Sequence, residues 1–145
     1  VRLRFIGGRD RLDKKLQKLM AGIEAKTADR TRLNLNVAIN YGGRDEIARA
    51  ARVLAADVAA GRIAPEAVDE NAITARLDTA GIPDPDLVIR TSGETRISNF
   101  LLWQSAYAEY EFTQTLWPDF SPAELETILN RFRMRDRRYG GTVRA

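Results

Sequence analysis

Two arginines, Arg90 and Arg96, share one short polar stretch with Thr91, Ser92, Gly93 and Ser98. Guanidinium forks make paired, charge-assisted hydrogen bonds to phosphate oxygens, so two of them beside several hydroxyls suit a phosphate or a diphosphate. The stretch follows a short apolar run, Leu87 to Ile89, that ends on Arg90. It therefore lies just past the carboxyl end of an expected strand, where open α/β sheets place ligands. Glu94 stands between the two arginines and can orient one of them. The same spacing also allows a plain surface loop, in which the arginines pair with Glu94, Asp84 or Asp86.

A second candidate lies in the run YAEYEF, where Glu109 and Glu111 share a face if the run is a strand. A carboxylate near a bound diphosphate is a natural ligand for Mg2+, which takes one or two carboxylates together with phosphate oxygens and water. The plainer reading of these residues is an exposed acidic strand face. Gly42, Gly43 and Arg44 form a third candidate, since a glycine turn opening a helix can cradle phosphate on its N–H groups. The turn is neither a Walker A loop nor a GxGxxG pattern, and a tight strand-to-helix connection accounts for it.

The elements that position these residues can be read from periodicity. Val1, Leu3 and Phe5 alternate with Arg2 and Arg4, which predicts a strand broken by Gly7-Gly8. Asp10 is then placed to cap a helix with Leu12, Leu16, Leu19, Met20 and Ile23 on one face. Leu33 to Tyr41 alternates again, with Asn34, Asn36, Ala38 and Asn40 making a small polar face. A helix carrying Ile47, Ala51, Leu54 and Val58 follows and stops at Gly61, and a short helix is expected near Asp69 to Ala80. After the Leu87 to Ile89 strand and its loop, Phe100 to Phe112 reads as a helical turn leading into a strand. Its aromatic residues, with Trp117 and Phe120 beyond, suit a core or a subunit interface. The last helix has Ser121 at its N-cap, Pro122 at its first position, Glu124 completing a capping box, and Leu125, Ile128, Leu129 and Phe132 as its buried stripe. Strands alternating with helices predict an α/β fold, with a mostly parallel central sheet and helices on both faces, in one domain over residues 1–145.

Composition narrows the chemistry. The chain has 145 residues, enough for one domain with a core, and neither cysteine nor histidine. Disulfides, thiolate or imidazole metal ligands and Ser-His-Asp triads are therefore excluded from these residues, and a reducing compartment is expected. No apolar run is long enough to cross a bilayer. The opening VRLRFIGGRD lacks a signal-peptide layout and reads as a strand already inside a fold, so the chain is expected to be part of a longer one. The net charge of +3 is uneven: residues 131–145 hold Arg131, Arg133, Arg135, Arg137, Arg138 and Arg144 against the single acid Asp136, and the rest of the chain has a slight acidic excess. Such a tail suits either phosphate, nucleic acid or anionic lipid, or simply a solvated helix end. A nucleic-acid binder is the reading from a different class, but no recognised nucleic-acid motif accompanies the arginines, and no such partner is expected.

The run DPDLVIRTSGETRISNFLLWQSAYAEYEFTQTLWPDF resembles the late signature of the cis-prenyltransferases, LNLNVAINYGGRDEIARA resembles another segment of that family, and RFRMRDRRYGG resembles its closing segment. The resemblance implies prenyl chain elongation, in which isopentenyl diphosphate is condensed with an allylic prenyl diphosphate and each new double bond is made cis. It implies that Arg90, Arg96 and Ser98 hold the diphosphate of isopentenyl diphosphate, with the backbone N–H at Ile97 assisting. It implies that Glu109 is an Mg2+ ligand and that Arg138-Tyr139-Gly140 reaches the isopentenyl site near a dimer interface. It further implies a homodimer in the cytoplasm, with peripheral contact at the inner face of the membrane left open. The family's early signature, a histidine followed by an MDGN-like run, is absent, as is the middle segment with its asparagine and arginine. The chain is thus expected to be the carboxyl-terminal portion of a synthase, incomplete on its N-terminal side. It would hold the isopentenyl half of the site and no catalytic residue of its own. A non-catalytic scaffold subunit of the same fold is the alternative; such subunits tend to lose the arginine loop, which is kept here.

Overall fold

The computed structural model describes residues 1–135, which form two compact units, Val1–Pro83 and a second from Asp84 on. In the first unit β1 (Arg2–Ile6) lies parallel to β2 (Asn34–Ala38), with Leu3 opposite Leu35 and Phe5 opposite Val37. The connecting helix α1 (Lys14–Thr27) makes a β-α-β unit. Its N-cap is Asp13 rather than the expected Asp10, and the Asp13 carboxylate accepts from the N–H groups of Lys15 and Leu16. The later start leaves Leu12 outside the helix. Of the expected apolar face Met20 is buried, whereas Leu19 is exposed.

Helix α1 also seals one edge of the sheet. Thr27 Oγ1 accepts from the N–H of Leu3 at 3.1 Å, and Glu24 Oε1 accepts from the N–H of Phe5 at 2.8 Å. Side chains thus take the hydrogen bonds that another strand would make on β1. Glu24 also accepts two hydrogen bonds from Arg9, at 2.9 and 2.6 Å. That guanidinium, more than the Phe5 N–H, holds the Glu24 carboxyl below its usual range against the opposing effect of burial.

The turn after β1 is fixed by backbone approach. Gly7 has φ of +108°, and a Cβ there would collide with the Ile39 carbonyl oxygen, so only glycine fits. Helix α2 (Gly43–Ala59) starts at the Gly42 N-cap and places Glu46, Ala50 and Leu54 in the core with Ile6, Met20 and Leu77. Glu46 is fully buried and accepts from the Tyr41 hydroxyl and from the Asp78 N–H at 3.0 Å. Asp78 in turn takes a two-pronged ion pair from Arg49, both bonds 2.9 Å, and the N–H of Gly7 at 3.1 Å. Buried carboxylates persist only when their lone pairs are met in this way. Helix α3 (Glu70–Thr74) is shorter than the expected Asp69 to Ala80 helix; turns carry the chain on to Leu77 and Ala80. The Ala80 and Asp78 carbonyls there accept from the Arg4 guanidinium at 3.0 and 2.8 Å.

In the second unit β3 (Leu87–Arg90) lies parallel to β4 (Glu109–Phe112), with Leu87 opposite Glu109 and Arg90 opposite Phe112. Turns rather than a helix make the 91–108 crossover. Helix α4 (Pro122–Arg133) follows, with Ser121 at its N-cap and Ile128 buried. Both strand pairs, β1 with β2 in the first unit and β3 with β4 in the second, are parallel, as expected of the α/β class. The aromatic stretch is less buried than a core requires. Tyr107 and Trp117 are both 72% exposed, and Trp117 stacks on Phe120 at 6.1 Å.

Candidate functional site

The second unit carries a cavity of about 330 Å³ whose polar lining is Arg90, Thr91, Ser92, Glu94 and Arg96. Val88, Ile89, Ile97, Phe100 and Tyr110 line the rest. Its lining is therefore mixed, with charge and hydroxyls beside aliphatic and aromatic carbon. Strand β3 brings Arg90 to its carboxyl end because apolar Leu87 to Ile89 pair with β4, leaving the arginine where the ladder stops. Among the described residues the Arg90 side chain makes no hydrogen bond or ion pair, although it is half-buried. A guanidinium removed from water without a partner is costly, so its placement favours an anionic ligand. Arg96 is 71% exposed and pairs with Glu94. With one carboxylate against two guanidinium groups, the cavity keeps a net positive charge.

The loop itself is strained. Ser92, Ser98, Asn99 and Leu101 have φ of +67°, +51°, +64° and +46°, and Gly93 has +69°. Non-glycine residues in this region cost about 1 kcal/mol or more each and cluster at ligand clamps. The loop is pinned by backbone bonds to the chain just after β4. The N–H of Ser92 donates to Thr115 O and that of Gly93 to Thr113 O, both 2.9 Å, and Thr113 N–H donates to Arg90 O at 3.0 Å. Gly93 uses glycine's freedom at positive φ, while a Cβ there would meet only the movable end of the Gln114 side chain.

The structure brings together Arg90, Arg96 and Ile97 of the expected site residues. Ser98 is exposed and is not among the lining residues. Glu109 lies elsewhere. In the register of β3 and β4 it sits three residues before Phe112, the partner of Arg90, which is about 10 Å along the strand. Parallel pairing puts Val88, Arg90, Tyr110 and Phe112 on one face, with Tyr110 and Phe112 stacked at 6.0 Å. Glu109 and Glu111 fall on the other, where α4 meets them. Arg135 donates to Glu109 Oε2 at 2.8 Å and also to Glu111, and Arg131 donates to Glu111 Oε2 at 2.7 Å. Glu111 is only 7% exposed and its two arginines satisfy it, so it is a buried ion-paired acid rather than a member of an open acidic face.

Among the described residues no cluster of three or more acidic side chains could hold a metal ion. Glu109 fits as a single carboxylate ligand, once Arg135 lets go of it, and not as a complete metal site. The basic tail is also partly accounted for, since Arg131 and Arg135 are held by β4. The expectations for Arg137, Arg138, Arg144 and the Arg138-Tyr139-Gly140 run lie outside the described residues. At the other unit's strand-to-helix turn, Gly42 is an N-cap without a side-chain cap, and its N–H region opens into a cleft lined by Arg9, Arg11, Arg49 and Arg52 with Asp10 and Asp45. Arg9 and Arg49 are already paired with carboxylates there.

The sequence pattern pointed to the polar residues of the cavity and missed the apolar ones. It also missed the buttress behind the loop. Glu124 N–H donates to Ser121 Oγ at 3.2 Å, one half of the expected capping box. The Glu124 carboxylate, however, accepts from the hydroxyls of Thr113 and Thr115 (3.0 Å for the latter) rather than reaching back to its own cap. The alternating hydroxyls of Thr113 and Thr115 were the only signal in the sequence.

Residues 1–140 match a family model described as "Putative undecaprenyl diphosphate synthase". An isoprenyl transferase of Brucella abortus is 54% identical over 141 residues, covering 97% of this chain and 56% of the relative. A ditrans,polycis-undecaprenyl-diphosphate synthase of Xanthomonas axonopodis, named as (2E,6E)-farnesyl-diphosphate specific, is 54% identical over 142 residues, covering 98% of this chain and 55% of the relative. The crystal structure of lavandulyl diphosphate synthase from Lavandula x intermedia, in complex with dimethylallyl diphosphate, superposes with a TM-score of 0.92 at 38% identity. That match covers 96% of this chain and 60% of that one. A probable undecaprenyl diphosphate synthase from Campylobacter jejuni gives 0.83 at 40% identity, covering 96% and 62%. The chain spans little more than half the length of the curated relatives it matches.

Proposed function

We propose that this chain, which belongs to the undecaprenyl diphosphate synthase family of isoprenyl transferases, is the carboxyl-terminal portion of an enzyme that elongates a cis-polyprenyl diphosphate. Its own share of the site binds isopentenyl diphosphate. The observation that carries this reading is the half-buried Arg90 with no protein partner among the described residues, in a cavity lined by both cationic and apolar side chains. A small molecule with a diphosphate and a short hydrocarbon needs both kinds of lining.

In this reading Arg90 and Arg96 take the diphosphate oxygens by charge-assisted hydrogen bonds. Arg96 must first exchange Glu94 for the ligand. The hydroxyls of Thr91 and Ser92, which line the cavity, and the N–H at Ile97 complete the donors; the exposed Ser98 hydroxyl joins them only if the loop turns it inward. Val88, Ile97, Phe100 and Tyr110 offer the apolar lining against which the isoprenyl carbons pack. Condensation breaks the allylic carbon–oxygen bond, forms a bond from the isopentenyl double bond to that carbon, and loses a proton from the isopentenyl unit. Holding the isopentenyl end in place converts an encounter of two molecules into a reaction within one complex. Bound Mg2+ would neutralise diphosphate charge, with Glu109 as the carboxylate this chain offers to it. The allylic diphosphate binds through residues outside this chain.

The proposal includes a homodimer, for which the exposure of Tyr107 and Trp117 is support. It also includes a cytoplasmic location, in keeping with the absence of cysteine, with the enzyme meeting the inner face of the membrane only peripherally. The test uses the protein extended to the length of its relatives, supplied with farnesyl diphosphate, Mg2+ and labelled isopentenyl diphosphate. Incorporation into long cis-prenyl products is expected, with loss in the Arg90→Ala/Arg96→Ala double variant. Full incorporation by that double variant would remove the assignment.

A further inference from the structure

The loop that carries Arg90 and Arg96 does not hold its strained shape alone. Its backbone is clamped at Ser92 and Gly93 by the carbonyls of Thr115 and Thr113. Those two threonines are gathered by a single atom, Oε1 of Glu124, which accepts from both hydroxyls. Thr113 Oγ1 also accepts from the N–H of Thr115 at 3.2 Å and lies 3.2 Å from Thr115 Oγ1, so the 113–115 segment is a closed hydrogen-bonded turn. Glu124 stands in the first turn of α4, whose N-cap Ser121 fixes the backbone there. Two layers of hydrogen bonds, joined through the covalent frames of Thr113 and Thr115, thus link a helix terminus to the anion loop: Glu124 to the two threonine hydroxyls, and the threonine carbonyls to the N–H groups of Ser92 and Gly93.

We infer that Glu124 is a positioning residue for diphosphate binding: it touches no ligand and sets the loop through Thr113 and Thr115. Helix capping alone does not explain its contacts. A capping glutamate reaches back to the N-cap N–H, whereas this carboxylate is spent on the loop buttress. The positive φ values of Ser92 and Gly93 explain why a buttress is needed, since an unclamped loop would relax toward commoner backbone geometry and spread the arginines.

The inference rests on the proposed isopentenyl diphosphate site, and the experiment separates the two. Isopentenyl diphosphate binding is titrated calorimetrically, and KM and kcat are measured, in the full-length protein and in E124A, E124Q, T115V, E124A/T115V, L129A and R90A. E124A is expected to raise Kd and KM by about five- to tenfold, the loss of one to two modest hydrogen bonds, with kcat changed less. E124Q should stay within about twofold of the parent, because its amide oxygen can accept from both hydroxyls. T115V should weaken binding in the same direction, and the double variant should fall short of the product of the two single effects. L129A, a half-buried stripe residue of the same helix, should lower the melting temperature and leave KM unmoved. If R90A weakens binding while E124A, T115V and their combination do not, Glu124 has no positioning role and the site reading stands. If R90A itself leaves binding unchanged, the site reading fails. An E124A protein that does not fold leaves T115V against E124Q as the deciding comparison.

Discussion

Arg90 and Arg96 line the same cavity, yet the structure predicts unequal consequences for losing them. Arg90 has no protein partner among the described residues, so Arg90→Ala strands no buried acid and should change folding stability little. Everything it contributes should appear in ligand binding. One charge-assisted hydrogen bond is worth about 1.5–3 kcal/mol, which converts to about 10- to 150-fold in the Kd for isopentenyl diphosphate. Arg96 begins from a different state. It is paired with Glu94, and an exposed pair of this kind is worth up to about 1 kcal/mol, so the ligand gains only the difference. Arg96→Ala should therefore weaken binding less than Arg90→Ala, by up to about fivefold less for the same ligand contact. Glu94→Gln should tighten it, because the competitor has lost its charge. The assay is calorimetric titration of the full-length protein with isopentenyl diphosphate, accompanied by thermal melts of each variant. Equal losses for the two arginines, or a weakening in Glu94→Gln, would refute the argument from pairing. An Arg90→Ala effect that tracks a fall in melting temperature would show that the residue serves the fold instead.

Arg135→Gln should free Glu109 while Arg131 keeps Glu111 paired; Mn2+ binding and the half-saturating Mg2+ concentration should then improve by up to about fivefold, and an unchanged metal affinity would argue against Glu109 as a ligand. Glu111→Gln removes a buried carboxylate that two arginines satisfy, although both are about half exposed and regain water; a loss of about 2 kcal/mol in denaturant unfolding is expected, and a neutral result would show the pairs contribute nothing. Glu24 has a folded pKa depressed chiefly by Arg9, so the stability it contributes is fully present above its unfolded range near pH 4.5 and is lost as pH falls through the lower folded value. Melting temperatures from pH 6 down to about pH 3 should therefore show the gap between the wild type and Glu24→Gln closing on the acid side; a gap that widens there would reverse the sign.

Much of this protein can be read without coordinates because its local signals are strong. The β1, β2 and β3 runs alternate or stay apolar over the length of a strand, and Ser121-Pro122 marks the start of α4, so element types follow from side-chain period and backbone restriction alone. The arginine loop is legible because phosphate chemistry demands particular residue types and the stretch is contiguous. What tertiary structure decided is everything that depends on register and on partners distant in the chain. Asp13 displaced Asp10 as a cap because Asp10 is taken into a turn closed by the Leu12 N–H on the Arg9 carbonyl. Glu109 and Arg90 look like neighbours in function, but parallel pairing puts them on opposite faces of one small sheet, and Arg131 of α4 and Arg135 just past it claim the acidic face. Glu124 looks like half of a capping box, and only the fold shows its carboxylate on Thr113 and Thr115. The physical reason is common to all three. Backbone preference acts over a few residues and is written locally, whereas the partner a charged side chain finds is set by which strands and helices are brought beside it.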